Sequence, residues 1–389
     1  MREVVIVSAV RSAVARGRRG GGLAGVHPVS LSASLMAEAV RRAGVDASQV
    51  DDVVWGCAMP EASQGLNVAR NAVLRAGFPV EVPAATVNRF CSSGLQTVAM
   101  GAQAIMSGMA DVVLAGGVEM MSQVPMSGYH TRLDPDITES YIGMGFTAER
   151  VAERWGVSRG DQDAYAVASH RKAAAAQDAG RFDRQILPID TPVASGSGAS
   201  RRIDTRPFDR DELVRTDTSE QALARLKPAF KPKGTVTAGN ASPYSDGAAA
   251  LLLMARDRAE FAGITPLGRF VNYAVIGVEP DIMGVGPAKA VPKVLERAGM
   301  TLDDIALIEF NEAFASQVLA VQRELEIPMD KLNVNGGAIA LGHPLGATGA
   351  KLTTQLVYEL GRRGGGFGLV TMCVGGGMGA AGIFEIYPA

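Results

Sequence analysis

The chain has 389 residues, of which 47% are hydrophobic and 20% are charged, and its formal net charge is −2. That length suits two or three units of ~150 residues, and the balanced charge provides no basic surface for nucleic acid or an anionic membrane. No run of ~18 apolar residues occurs, so no membrane-spanning helix is expected. Three scattered cysteines are too few for a disulfide framework, which predicts a reducing, cytoplasmic location.

The first 117 residues alternate short β-branched segments with longer alanine-rich ones. Residues 4–10, 51–60 and 111–117 have the composition of strands, whereas residues 30–44 and about 93–109 have that of helices. Strands that alternate with helices require crossover connections. The pattern therefore predicts an α/β unit whose sheet is covered by helices on both faces.

Residues 118–243 differ from this pattern. They contain methionine- and proline-rich segments, a serine- and glycine-rich run at 193–200 and a charged run at 201–212. Such composition is typical of a surface insertion. We predict a loop or lid domain over 118–243, after which residues of about 244–264 complete the N-terminal half formed by 1–117.

The C-terminal part, 265–389, repeats the plan of the first. Arg42-Ala43-Gly44 before a strand is echoed by Arg297-Ala298-Gly299, and Val87-Asn88 is echoed by Val334-Asn335. Leu114-Ala115-Gly116-Gly117, taken as a strand end, is echoed by Cys373-Val374-Gly375-Gly376. The common order of these pairs predicts one α/β unit that has been duplicated into two packed halves.

Cys91 lies between an apolar segment, Val82 to Val87, and the start of a predicted helix. A thiol at a helix N-terminus has its thiolate favoured by the helix dipole and by unpaired N–H groups. The same N–H groups can hold the oxyanion of a thioester. The alternative is a small buried cysteine with a packing role only.

Three further residues are candidates for chemistry. His343 lies in a glycine-rich turn and is a possible base for a cysteine nucleophile. Cys373 follows a strand-like segment and precedes three glycines, so it could move a proton, although it could equally be a core cysteine. Asn311 follows another apolar segment, where it could position a carbonyl or a water or merely cap a helix. No Cys/His spacing predicts a metal site.

Five longer motifs resemble the thiolase family closely: VNRFCSSGLQ, GTVTAGNASPYSDGAAA, EFNEAFASQ, NVNGGAIALGHPLGATGA and CVGGGMG. They occur in the family's order, and the similarity extends over nearly the whole chain. The resemblance implies the thiolase fold, in which two duplicated α/β halves form five layers, αβαβα, with an inserted loop domain. It also implies acetyl transfer between coenzyme A thioesters, with an acyl-cysteine intermediate and ping-pong kinetics.

The resemblance also implies a role for each catalytic position. Cys91 would be the nucleophile, and His343 would activate it and line one oxyanion hole together with a water held by Asn311. Cys373 would be the second acid/base. The backbone N–H groups of Cys91 and Gly375 would form the other oxyanion hole.

Coenzyme A would be bound as a substrate, and no permanently bound cofactor is implied. The positions that match the family's coenzyme A contacts are Met144, Arg215, Phe230, Ala238, Gly239, Ser242, Met283, Ala313 and Phe314. Among these, Arg215 would meet the phosphate or adenine of the nucleotide, and the apolar members would enclose the pantetheine arm. The family also implies a homodimer or a homotetramer.

Two positions depart from the biosynthetic members of the family. A serine that contacts the ligand in those members is Ala222 here, and their His-Met pair is Gly143-Met144. These differences favour a degradative enzyme that cleaves longer 3-ketoacyl chains. The alternative functions are a ketoacyl synthase-like condensing enzyme, which typically pairs its cysteine with two histidines, and a non-catalytic acyl-CoA or lipid carrier on the same fold.

Overall fold

The computed structural model describes residues 2–125, 132–195 and 202–389 of the chain. Most of the predicted serine- and glycine-rich run, residues 196–200, lies outside the described residues. The elements before the insertion are β1 (Val4–Ser12), β2 (Ala15–Arg16), α1 (Pro28–Ala43), β3 (Asp52–Gly56), α2 (Val68–Arg75), β4 (Ala84–Val87), α3 (Ser93–Met106) and β5 (Val112–Met120).

The insertion carries mostly helices and one hairpin. Its elements are α4 (Met144–Arg154), α5 (Arg159–Asp178), β6 (Ile186–Leu187), β7 (Ile189–Ser195), β8 (Arg202–Phe208) and α6 (Glu220–Ala224). The chain continues with β9 (Ser245–Ala255), α7 (Arg256–Phe261), β10 (Gly268–Gly277), α8 (Gly286–Ala298), β11 (Ile305–Phe310), α9 (Ala315–Glu324), α10 (Ala338–Leu341), α11 (Leu345–Arg362), β12 (Gly366–Val374) and β13 (Met378–Ile386).

The main strands follow the order β11-β12-β13-β10-β1-β9-β5-β3-β4. The order reads as two mirrored sets, since β1, β9, β5 and β3 correspond to β10, β13, β12 and β11 with the same pairing directions. The two sets meet where β1 and β10 pair, and only Val5 with Arg269 and Ile6 with Gly268 are in register there. The duplication predicted from the sequence is therefore confirmed.

The helices and the two sets of strands are stacked in layers, and three apolar clusters fill the spaces between these layers. One cluster packs α1 and α2, through residues such as Leu35 and Val68, on the outer face of the first set. A second joins α3 and α11 between the two sets, and a third packs α8 and α9 on the outer face of the second set. The result is the αβαβα arrangement that the resemblance implied.

The short sequence echoes are right in one case and wrong in another. Gly44 and Gly299 both end their helices in the left-handed region, each at φ 66°, as glycine at a helix C-terminus favours. The echo of 114–117 by 373–376 is wrong. Strand β5 continues to Met120, and the register pairs Gly56 with Gly117 but Phe310 with Thr371, so Gly117 corresponds to Thr371.

The insertion is fastened to the first half by a buried ion pair. Arg11 on β1 donates to Asp211 at 2.8 and 2.9 Å, and the side chains of both residues have no exposed surface. Strand β9 then returns between β1 and β5. The boundaries at 117/118 and 243/244 stay a prediction. Among the described helices, none is long and apolar enough to cross a bilayer.

Candidate active site

Cys91 lies in a single 3₁₀ turn, Phe90–Ser92, that leads directly into α3. The turn is strained, because Phe90 adopts φ 43°, a value uncommon for a residue with a side chain. Side chains on both sides hold it: Asn88 Oδ1 accepts from the Phe90 N–H at 2.8 Å, and Ser93 Oγ donates to the Phe90 carbonyl at 2.7 Å. The position of the thiol is therefore fixed locally.

Helices α3 and α11 cross closely near their N-termini. A Cβ on Gly94 would lie 2.7 Å from the Ala350 nitrogen, and a Cβ on Gly349 would lie 2.1 Å from the Leu95 nitrogen, so only glycine permits this approach. Cys91 lies two residues before the start of α3, and His343 lies two residues before the start of α11. The turn that carries Cys91 packs against α11, so the crossing brings the two turns together.

His343 is buried and its imidazole has two partners. Nδ1 lies 2.6 Å from Thr348 Oγ1, and Nε2 lies 3.2 Å from Asn311 Nδ2. Because the Thr348 hydroxyl donates to the Pro344 carbonyl at 2.9 Å, its oxygen is left to accept from Nδ1–H. This network assigns the imidazole proton to Nδ1 and leaves a lone pair on Nε2.

The imidazole is neutral at physiological pH. Burial lowers the pKa of His343 to about 3, and the nearby Lys351 ammonium acts in the same direction. A neutral imidazole with its lone pair on Nε2 can accept a proton once Asn311, which now contacts Nε2, gives way. In the described part of the chain, the hydrogen bonds of the ring are with Asn311 and Thr348, and none is with the Cys91 thiol.

The main-chain N–H groups of Gly375 and of Cys91 itself lower the pKa of the Cys91 thiol, because they favour its charged form. Burial nevertheless raises the pKa of the Cys91 thiol to about 11, and the two donors only reduce this rise. The sequence predicted a thiol whose thiolate is favoured by the helix start. The structure retains that contribution, but desolvation exceeds it, so the resting group is a thiol.

Cys373 lies near the end of β12, in full burial and within electrostatic reach of Cys91. Burial raises the pKa of the Cys373 thiol well above its ordinary value, and a charge on Cys91 would raise it further. Strand β12 and the turn of Cys91 are packed together. The two predicted cysteines are therefore neighbours, and Gly375 lies in the turn that follows β12.

Asn311 connects the histidine to the end of β11. Its N–H donates to the Thr371 carbonyl at 2.9 Å, which fixes it beside β12. Its side-chain nitrogen contacts His343, whereas its Oδ1 is buried with no hydrogen-bond partner among the described residues. A buried amide oxygen without a partner is costly, which is typical of a position that receives a ligand or a water.

Most of the predicted coenzyme A contacts gather around Cys373. Met283, Ala313 and Phe314 belong to the same buried apolar cluster as Cys373, and Met144 packs against it from one side. A Cβ on Gly375 would lie 3.8 Å from the Met144 sulfur, which places that methionine beside the turn as well. The cluster provides an apolar wall next to the two cysteines.

Phe230 and Ser242 extend this wall toward the surface. The Phe230 ring is partly exposed and lies edge-on to Phe314, with ring centroids 6.2 Å apart. The Ser242 N–H donates to the Ala313 carbonyl at 2.9 Å, so the loop before β9 is tied to the cluster.

Three predicted contacts lie farther out. Arg215 and Ala238 are exposed, and Gly239 packs so tightly on the side chains of Leu223 and Leu226 that a Cβ would come within 2.7 Å of each. The Arg215 N–H donates to Nδ1 of the buried His170 at 3.1 Å. Arg215 and Ala238 therefore lie outside the buried cluster, on an exposed side of the insertion.

Several residues that were not predicted from the sequence hold the site in place through hydrogen bonds. Thr348 orients the imidazole, and Ser245 Oγ accepts from the His343 N–H at 3.0 Å. Glu119 is fully buried and accepts from four donors, among them the Gly346 N–H at 2.9 Å. A hydroxyl one turn inside the helix after His343 was the available signal for Thr348. Nothing local indicated Glu119 or Ser245.

Two family profiles match almost the entire chain. The profile described as "Thiolase, N-terminal domain" matches residues 4–257, and "Thiolase, C-terminal domain" matches residues 264–386. Among individual proteins, a 3-ketoacyl-CoA thiolase of Bacillus subtilis is 52% identical over 99% of this chain and 100% of its own length.

An acetyl-CoA acetyltransferase of Chromobacterium violaceum is 45% identical over 97% of this chain and 98% of its own length. The crystal structure of the Bacillus anthracis acetyl-CoA acetyltransferase superimposes with a TM-score of 0.88 at 42% identity, and the match covers 99% of each chain.

Proposed function

The chain belongs to the thiolase family and is an acyltransferase, and we propose that it moves acyl groups between coenzyme A thioesters through an acyl-enzyme on Cys91. In the thiolytic direction it would cleave a 3-ketoacyl-CoA into acetyl-CoA and an acyl-CoA shortened by two carbons. The same groups would carry the reverse Claisen condensation. One observation carries the proposal: the turn of Cys91 packs against β12, so that Cys91 lies beside Cys373 and the Gly375 turn, and the N–H groups of Cys91 and Gly375 favour the charged form of the Cys91 sulfur.

Two donors that converge on a nucleophile can stabilise the charge that develops next to it. When sulfur attacks a carbonyl carbon, the carbonyl oxygen becomes an oxyanion within reach of the same N–H groups. The donors belong to a strained turn and to a glycine turn, and both are fixed before substrate arrives. Preorganised dipoles of this kind need no rearrangement at the moment of reaction.

The first proton transfer follows from the protonation states. The Cys91 thiol has a pKa of about 11, so a base must take its proton as the C–S bond forms. His343 is neutral, with its lone pair on Nε2, and is the proposed acceptor. We infer that substrate binding displaces Nε2 from Asn311, whose unpartnered Oδ1 could then hold a water over the same site.

Cys373 is the proposed second acid/base. After Cys91 attacks the 3-keto carbon, the bond between carbons 2 and 3 breaks, and the electron pair leaves as the enolate of acetyl-CoA. The thiol proton of Cys373 would quench that carbanion. Coenzyme A then attacks the acyl-enzyme, its thiol proton passes to the Cys373 thiolate, and Cys91 leaves and recovers its proton from His343.

Coenzyme A is the proposed second substrate, with no permanently bound cofactor. The pantetheine arm would lie along Met144, Met283 and Phe314, because these residues form the apolar wall beside Cys373. The nucleotide would lie at the exposed side of the insertion, where Arg215 offers its guanidinium. Ala238, Gly239 and Ser242 would contact the ligand between these two regions.

A degradative role is the proposed physiological direction. Gly143 and Ala222 replace groups that the biosynthetic members use to contact the ligand, and both stand at the edge of the insertion, before α4 and within α6. The relative with 52% identity is named a 3-ketoacyl-CoA thiolase, which supports a place in fatty acid β-oxidation. A condensing ketoacyl synthase and a non-catalytic carrier find no comparable support.

A homodimer or homotetramer is proposed from the edge of the sheet. In the described part of the chain, β4 ends the strand order and pairs with β3 only, so one edge of β4 is unpaired. Next to it, Leu66 is 93% exposed, and Asn67 fastens that loop to β4 by a 2.9 Å hydrogen bond to the Ala84 carbonyl. An exposed edge with apolar neighbours favours pairing with a second copy. The cytoplasmic location stays a prediction.

The decisive experiment combines trapping of the acyl-enzyme with a substrate series. Incubation with labelled acetyl-CoA should give one acetyl group per chain, bound at Cys91. Thiolysis rates with 3-ketoacyl-CoA substrates of four to sixteen carbons should then reach a maximum beyond four carbons. Failure to acetylate would exclude the mechanism, and activity confined to acetoacetyl-CoA would exclude the degradative role alone.

A further inference from the structure

His170 lies on α5, in the insertion, and none of the proposed catalytic steps uses it. The side chain is 5% exposed, and its Nδ1 accepts the main-chain N–H of Arg215 at 3.1 Å. Burial lowers the pKa of the His170 imidazole to about 4, so the ring is neutral and its Nδ1 lone pair is available as an acceptor. The bond therefore persists over the whole neutral pH range.

The side chain of Arg215 has no other partner in the described part of the chain. Arg215 is exposed, and within residues 2–125, 132–195 and 202–389 its guanidinium forms no hydrogen bond or ion pair. The side chain is thus free to meet an anion, whereas its main chain is attached to a buried ring. Fixing the backbone of an exposed cation removes part of the entropy that binding would otherwise cost.

Helix α5 also contacts the segment after β11, where catalysis is proposed. Directly before His170, Ser169 Oγ donates to Glu312 at 2.7 Å, and about one turn earlier Tyr165 Oη donates to Glu312 at 2.9 Å. Glu312 stands between Asn311 and Ala313, the end of β11 where catalysis and pantetheine binding are proposed. Helix α5 therefore connects the arginine to the reacting centre through short, buried contacts.

We propose that His170 is a positioning residue, which fixes the main chain of Arg215 so that its guanidinium meets the nucleotide phosphates of coenzyme A at a set distance from Cys91. This inference rests on the proposed function, because it assumes that Arg215 binds the nucleotide. It assigns His170 no contact with the substrate. Its effect should appear in the binding of coenzyme A and not in the chemical step.

The test uses two substitutions of similar size. His170→Leu removes the acceptor without leaving a large cavity, whereas His170→Asn places Oδ1 near the position of Nδ1 and can restore the bond. In thiolysis with saturating acetoacetyl-CoA, His170→Leu should raise the KM for coenzyme A about fivefold, which is the loss expected for one hydrogen bond. His170→Asn should return the KM to within about twofold of the wild-type value, and kcat should change little in either variant.

Pantetheine, which lacks the nucleotide, separates positioning from a general structural effect. As the thiol acceptor in place of coenzyme A, it should show the same KM with the wild type and with His170→Leu. His27 supplies a matched control, since its Nδ1 also accepts a main-chain N–H, from Val29 at 3.2 Å, at the exposed start of α1. His27→Leu should leave the KM for coenzyme A unchanged.

Arg215→Ala distinguishes this inference from the proposed function. If Arg215→Ala raises the KM for coenzyme A and His170→Leu does not, the positioning role is wrong. If Arg215→Ala has no effect, the proposed nucleotide contact itself is wrong. A fall in kcat, or an equal rise of KM for pantetheine, would show that His170 has only a structural role.

Hydrogen exchange keeps the inference testable if His170→Leu does not fold. In the wild type, the Arg215 amide should exchange far more slowly than the amides of the exposed residues that follow it. Fast exchange of that amide would overturn the inference.

Discussion

The two halves of the molecule use matching positions for different purposes. Cys57 follows the last residue of β3, and Asn311 follows the last residue of β11. Glu119 is the last but one residue of β5, and Cys373 is the last but one residue of β12. The strand registers agree with this correspondence. Glu119 lies two residues beyond Gly117, which pairs with the last residue of β3, and Cys373 lies two residues beyond Thr371, which pairs with the last residue of β11.

In the first half these positions hold the structure together. Glu119 accepts from main-chain donors in the loop after β3 and in the first turn of α11, and the Cys57 sulfur lies 4.0 Å from its carboxylate. Burial raises the pKa of the Cys57 thiol, and the Glu119 charge raises it further. In the second half the matching side chains, Asn311 and Cys373, border His343 and Cys91 instead. The duplication therefore supplies two equivalent strand ends, and we propose that only one of them carries chemistry.

The difference follows from what comes after each strand. Between β5 and β9 the chain inserts residues 121–244, whereas β12 and β13 are joined by the short turn 375–377. The insertion is anchored to the first half by the buried pair of Arg11 and Asp211, whereas Glu119 ties the end of β5 to α11. The short glycine turn instead leaves the end of β12 beside the turn of Cys91.

Replacing each cysteine in turn is the strongest test of this comparison. Cys91→Ala should lower kcat by at least about 10⁴-fold, because no other group can form the acyl-enzyme. Binding of coenzyme A, measured by calorimetry, should remain. Cys57→Ala is the matched control and should keep activity within about threefold, since a buried methyl-sized change costs mainly stability. Turnover by Cys91→Ala would overturn the assignment.

Cys373→Ala should have the next largest effect. Loss of a general acid or base typically costs 10²- to 10⁴-fold, so we expect kcat to fall about 10³-fold. Iodoacetamide should still label Cys91 in this variant, which would show that the nucleophile remains in place. A decrease of less than tenfold would mean that Cys373 is only a core residue and that the two halves do not differ as proposed.

Glu119→Gln tests the structural role in the first half. The substituted amide keeps one acceptor but turns an NH₂ group toward main-chain donors, so we expect the free energy of unfolding to fall by about 3 kcal/mol. The midpoint of urea denaturation measures this change. Burial raises the pKa of Glu119, and an unchanged midpoint would show that the native carboxyl is already protonated. The kcat of the folded variant should fall by much less than that of Cys373→Ala.

The smallest expected effect concerns pH. His343 has a pKa of about 3, so kcat/KM for the acylation step should not decrease between pH 7 and pH 5. An exposed imidazole would instead lose activity below its ordinary pKa of 6.5. Alkylation of Cys91 should accelerate about tenfold per unit up to pH 10, because the thiol pKa is about 11. An acid limb near pH 6.5 would contradict the assigned protonation state of His343.

The decrease of stability at low pH sets the lowest pH at which this activity can be measured. The folded pKa of His343 is depressed below 6.5, so the unfolded chain binds more protons and stability falls as pH drops below that value. His170, at about 4, adds to the same trend. Each histidine should cost about 1.4 kcal/mol per pH unit between its unfolded pKa and its folded pKa, and nothing further below the folded value. Unfolding midpoints at each pH separate this loss from a change in catalysis.

The fold could be predicted from the sequence to the level of its repeated plan. Periodic composition indicated the strand and helix order, and Gly44 and Gly299 marked equivalent helix ends correctly. The echo of 114–117 by 373–376 was wrong because glycine in a strand and glycine in a turn look alike as letters. Only the hydrogen-bonded register distinguishes them.

Cys91, His343 and Cys373 stood out in the sequence because a reactive side chain in a glycine-rich turn has a local signature: the backbone there must turn sharply or approach closely. What those groups are at neutral pH was decided by the tertiary structure. Burial depends on residues distant in the chain, so a helix start that favours a thiolate still holds a neutral thiol. For the same reason, the contacts of Glu119 with Gly346 and of His170 with Arg215 appear only when the chain is folded, since each joins segments whose spacing in sequence carries no information about their distance in space.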